Sequence, residues 1–105
     1  YKEMLSMFPD DPGVLNSYAW RMAEIETNLD DALLKIRKAV AISATDPGQQ
    51  AGIIDTEAEV LWKLKRYDEA IEAIEKSISI DPENQYYKDQ KEKFIESKTN
   101  GDQPV

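Results

Sequence analysis

One stretch of this chain is written twice. Leu29-Asp30-Asp31-Ala32-Leu33 with Arg37-Lys38-Ala39-Val40-Ala41-Ile42 recurs as Tyr67-Asp68-Glu69-Ala70-Ile71 with Glu75-Lys76-Ser77-Ile78-Ser79-Ile80, at an offset of 38. Upstream, Asn16-Ser17-Tyr18-Ala19 is matched by Asp55-Thr56-Glu57-Ala58 at an offset of 39. A period of this size belongs to supersecondary units that stack, each burying its apolar face against the next. Sheet folds are excluded on the same ground. There is no sustained period-two alternation, and the β-branched residues fall inside helical stripes.

The stripes have helical spacing. Leu15, Ala19 and Met22 stand at i, i+4, i+7, as do Ile54, Ala58 and Leu61. Ala32, Ile36, Ala39 and Val40 make a third stripe, and Ala70, Ile71, Ile74, Ser77 and Ile78 a fourth. The acidic pairs Asp30-Asp31 and Asp68-Glu69 occupy first helical turns, where the helix dipole favours them. Breaks are expected at Pro9-Asp10-Asp11-Pro12-Gly13, Asp46-Pro47-Gly48 and Asp81-Pro82-Glu83-Asn84. The predicted organisation is a helix end at 1–8 and helices near 13–26, 29–44, 50–65, 67–80 and 84–97. The stretch 99–105 reads as a disordered tail.

Ala58, Tyr67-Asp68-Glu69-Ala70-Ile71, Ile74-Glu75-Lys76 and Ile80-Asp81-Pro82 resemble a tetratricopeptide repeat, a helix–turn–helix unit of about 34 residues. Its small, Ala, bulky and Pro positions are met by Ala58, Ala70, Ile74 and Pro82. The resemblance implies an all-α fold of antiparallel helix pairs in a right-handed superhelix. Two repeats are expected at 12–47 and 51–84, with a capping helix at 84–97 closing a domain over 12–98. Tyr1, Met4, Leu5 and Pro9 then read as the end of a truncated preceding repeat at 1–11. The departures are one extra residue between the first helices and about four in the Ala44–Gln50 connection, which predicts a longer loop there. Glu57 replaces a Leu and Lys65 a Gly of the pattern. Tyr86, Tyr87, Phe94 and Ile95 are the expected apolar contacts of the last helix, with Lys88, Lys91 and Glu92 on its outer face.

Composition narrows the function. The chain has 13 Lys plus Arg against 21 Asp plus Glu, a net charge of −8, and neither His nor Cys. A polyanion, whether nucleic acid or anionic lipid, is opposed by that charge. Catalysis would have to proceed without His, Cys or a Gly-rich phosphate loop, so no enzyme, cofactor or metal site is expected. No apolar run reaches the roughly 20 residues of a membrane span. The opening Tyr1-Lys2-Glu3 carries no initiator Met or signal peptide. A piece of a longer protein is therefore expected, with its compartment open between bacterial cytoplasm and periplasm.

In repeats of this family the first helices line a concave side that holds a peptide or partner helix. The resemblance puts Asn16, Trp20 and Ala23 there from one helix and Asp55, Glu59 and Trp62 from the next. The last helix adds Asp89, Lys93 and Glu96. The expected groove is thus acidic with two indoles, suited to a protein or peptide with basic and apolar residues. Against this stands the plainer reading that a Trp in a small helical domain is more often core. Trp20 is the stronger groove candidate, since Trp62 follows Leu61 and can fill space near Tyr67. Asp55, Glu57 and Glu59 lack further ligands in register for a metal. Of the Lys, Asn and Arg carboxylate clamp in chaperone-binding members, Asn16 alone matches.

A second function class is a structural or dimerising appendage of a longer bacterial protein whose activity lies upstream. Leu15-Asn16-Ser17-Tyr18-Ala19-Trp20 is similar to repeats that trail thioredoxin-like and other exported bacterial proteins. On that reading the face bearing Tyr1, Met4, Leu5 and Phe8 self-associates or docks another domain.

Overall fold

The structure, a computed structural model describing residues 1–101, consists of α1 (Lys2–Met7), α2 (Pro12–Glu24), α3 (Leu29–Ile42), α4 (Pro47–Lys63), α5 (Tyr67–Ile80) and α6 (Gln85–Gly101). No strand occurs among the described residues. The protein is all-α, as the periodicity predicts. Close backbone contact joins α2 to α3 and α4, α4 to α3 and α5, α5 to α6, and α1 weakly to α2. Every such pair is one or two helices apart in the chain. The extents are 45 × 31 × 17 Å, and 17 Å accommodates two layers of helices whose axes lie about 10 Å apart.

Two prolines begin helices that the sequence reading starts later. Pro12 and Pro47 open α2 and α4, where the missing N–H costs no hydrogen bond. Asp11 caps the first, accepting from the Gly13 and Val14 N–H groups at 2.8 and 3.2 Å. Asp46 caps the second, accepting from the Gln49 N–H at 3.2 Å. The extra residues of the Ala44–Gln50 connection therefore lengthen α4 at its N-terminus, and only 43–46 link α3 to α4, just as 81–84 link α5 to α6. The expected longer loop is absent.

The turns within the pairs close alike. Glu26 and Thr27 N–H groups donate to the Ala23 and Met22 carbonyls, and Lys65 and Arg66 donate to Trp62 and Leu61. In each turn the residue just past the cap is left-handed: Glu26 at φ 52° and Lys65 at φ 63°. The extra residue of the first turn also ends left-handed, at Asn28. Lys65 stands where the repeat pattern has Gly, and the backbone there suits Gly. Lys65→Gly is expected to stabilise the chain by about 1 kcal/mol, read as a higher urea midpoint at unchanged slope.

The core runs through all four stripes. Leu15, Ala19, Ile36, Ala58, Ala70 and Ile74 are fully buried, and Ala32 and Ala70 let the helix axes approach closely. Val40, Ile71 and Ile78 pack at its edge. The Tyr18 hydroxyl, its pKa pushed up to about 12 mainly by burial, donates to Asp31 at 2.5 Å and ties α2 to α3. Glu57, the departure from a Leu position, accepts from Arg37 Nε at 3.1 Å, and Arg37 Nη2 also reaches Glu69 at 3.2 Å.

At the C-terminus α6 extends past the predicted 97, so Thr99, Asn100 and Gly101 of the expected tail are helical. Residues 102–105 lie outside the described residues. Tyr87 and Phe94 are buried as predicted, whereas Tyr86 and Ile95 are 49% and 44% exposed. The packing face is rotated by one residue towards Tyr87, Gln90 and Phe94, which lie at i, i+3, i+7.

Candidate functional site

Asp55, Glu59 and Trp62 share one face of α4 by i, i+4, i+7 spacing, as the sequence reading has them. They do not form an open acidic surface. α6 lies across them, leaving Asp55 6% and Glu59 8% exposed. The Gln90 amide donates to Asp55 at 3.2 Å and to Glu59 at 3.0 Å. The Lys93 ammonium pairs with the same Glu59 oxygen at 3.0 Å and stands 4.1 Å from the centre of the Trp62 ring. The Trp62 indole N–H donates to Ser97 at 2.8 Å, and its ring lies 6.0 Å from that of Phe94. Lys63 approaches the Trp62 ring to 4.9 Å and pairs with Glu26 at 3.3 Å.

Two carboxylates are thus buried against one ammonium, with a neutral amide between them. Burial pushes the Asp55 carboxyl up to about 6; the Gln90 hydrogen bond opposes this, the neighbouring Glu59 charge adds to it and Lys93 offsets it in part. The same charges act on α6: the Tyr86 hydroxyl is pushed up to about 12 by burial, then by Asp55 and Glu59. Tyr87 is raised by burial and by Asp55 and Asp81.

Of the predicted groove residues, the structure therefore brings Asp55, Glu59, Trp62 and Lys93 into one network, which Asn16 and Trp20 do not join. No hydrogen bond links either to the network among the described residues. Asp89 and Glu96 are exposed and take no part in it. Trp20 is half-buried on α2. One turn before it, the Asn16 side-chain oxygen is enclosed and has no hydrogen-bond partner among the described residues. Gln90 is the residue that sequence reasoning misses. Its only signal is its place between Tyr87 and Phe94 on one helical face.

The α4 face suits a cation with an apolar neighbour, through Glu59 and the Trp62 ring. Among the described residues no three His, Cys, Asp or Glu side chains are placed to hold a metal ion, and no helix is long and apolar enough to cross a membrane.

A family model described as tetratricopeptide repeat matches residues 56–84, which take in α4 from Thr56, all of α5 and the turn that follows. No curated protein and no solved structure matches the chain.

Proposed function

We propose that this chain, which carries a tetratricopeptide repeat, is a non-catalytic scaffold for protein–protein interaction. Its partner is a protein or peptide with basic and apolar side chains, met at Asn16 and Trp20 of α2. The observation that carries this reading is the enclosed Asn16 oxygen without a hydrogen-bond partner among the described residues. A buried acceptor left unsatisfied is costly, and a partner whose docking turns the Asn16 amide outward relieves that cost through a peptide N–H or a basic side chain. Half-buried Trp20 beside it offers the flat apolar area typical of interface anchors. The net charge of −8 favours a basic partner.

A second reading rests on a different face. Tyr1, Met4, Met7 and Phe8 are 47–70% exposed, and Leu34 on α3 is 71% exposed. Leu5, Pro9, Leu15 and Leu34, with Lys35 and Lys38 at their side, line one hollow of about 320 Å³ beside α3. An apolar face of this kind suits self-association.

Capture from lysate by the parent and by Trp20→Ala separates the two. Truncating one central aromatic is expected to weaken capture by about 2 kcal/mol, near thirtyfold, while the melting temperature stays within a few degrees. Equal capture by both chains, or retention of the chain by itself alone, sinks the first reading in favour of the second.

A further inference from the structure

We propose that α6 is a releasable occupant of the α4 face formed by Asp55, Glu59 and Trp62, and that the partner replacing it is a helix with two basic residues, one in the place of Lys93 and one in the place of Gln90. This goes beyond the scaffold reading above by adding a second face to it, and rests on that reading only for the class of partner.

The way α6 is held sets it apart from the other long helices. Within α2–α5 each helix buries an apolar stripe, and those four helices supply every member of the buried cluster but Tyr87 and Phe94. Among the described side chains of α6, Tyr87, Gln90 and Phe94 are buried. Its remaining hold on α4 is polar and directional: Gln90 across two carboxylates, Lys93 on Glu59 and over Trp62, and Ser97 on the indole; on α5 it has close backbone contact and the Lys91–Glu75 and Lys98–Asp68 pairs. Helices so attached open locally at a lower free energy than the core around them.

The occupant is also imperfectly matched in charge. The groups facing Asp55 are Glu59 from its own helix and Gln90, Lys93, Tyr86 and Tyr87 from α6. They offer a single cation to two carboxylates, and buried charge without a counter-charge is costly. An Arg or Lys in the place of Gln90 supplies the second cation. A helix so equipped complements this face better than α6 does, which fixes the chemistry of the competitor.

The test uses the full chain and two synthetic peptides, one with the sequence of residues 85–101 and one with Gln90→Arg. The substituted peptide is expected to bind about tenfold more tightly, one charge-assisted hydrogen bond being enough for that ratio. Its binding should speed hydrogen exchange at the chain's own α6 amides and leave those of α2–α5 unchanged. Placing Gln90→Arg in the chain itself should slow α6 exchange about tenfold and abolish peptide binding. Three results overturn the proposal: neither peptide binds, a peptide binds while α6 stays protected, or α6 trades between two chains to give a stable dimer. A protein partner captured while α6 remains protected overturns the release of α6 and leaves the scaffold standing. Peptide exchange without any protein partner does the reverse.

Discussion

At neutral pH the Asp55→Asn chain is expected to be more stable than the parent by roughly 2–3 kcal/mol, since each unit of raised pKa corresponds to about 1.4 kcal/mol. Unfolded, the Asp55 carboxyl ionises near 3.8; folded, beneath α6, it ionises near 6. Below 3.8 it is protonated in both states and costs nothing. As the pH rises towards 6 the unfolded chain gains the advantage of an ionised, hydrated carboxylate, and above 6 the penalty is complete. Parent stability should therefore fall across this window, an effect of Asp55 superimposed on the other carboxylates. Asparagine keeps the oxygen that accepts from Gln90 and cannot ionise. Urea midpoints at pH 4.5 and 7.5 give the comparison. A parent–variant difference that stays constant between the two values would show that Asp55 ionises normally and that its burial under α6 is not maintained in solution.

The second large effect is at Phe94. Its side chain is fully buried, and its ring lies 6.0 Å from that of Trp62. Phe94→Ala is expected to cost about 3–4 kcal/mol, the transfer of a large ring plus the void it leaves. That loss should fall on α6 first. α6 contributes Tyr87 and Phe94 to the buried cluster and α2–α5 supply all its other members, so those four helices are expected to keep most of their packing. Near-ultraviolet circular dichroism should report an early loss of the Trp62 signal, while most far-ultraviolet helicity melts later. One transition shared by both probes would show instead that α6 is part of a single cooperative unit.

The repeat and the buried stripes were readable because they depend on spacing alone. Ala32 and Ala70, fully buried, sit where the duplicated pattern puts a small residue, and Asp30-Asp31 and Asp68-Glu69 open α3 and α5 as the dipole argument requires. Pro47 was misread because the same ring that forbids a helix interior is welcome at its first position, and only the Asp46 cap distinguishes the two. The face of α6 was misjudged by one residue. Its apolar side chains are too few to fix a rotation, and Tyr86-Tyr87 and Phe94-Ile95 each offer two adjacent choices 100° apart.

The candidate site shows the same limit. Periodicity puts Asp55, Glu59 and Trp62 on one face, but it cannot say which helix covers that face. Gln90, a polar side chain buried in the seam, gives no hydrophobic signal at all. What a carboxylate pair does depends on its covering partner, and that partner comes from a helix more than 30 residues away, as the separations of 31 and 35 for its two hydrogen bonds record.

Among the described residues, no helix makes close backbone contact with one more than two places away along the chain. Assembly therefore needs no distant ends to find each other, and the entropy of closing large loops does not slow the search. The same arrangement governs the response to force. With no strand or helix clamping one terminus to the other, tension applied at the ends has nothing to shear all at once. It peels helices off singly from each end, at low and successive loads, and the chain behaves as an extensible tether rather than a brittle bolt.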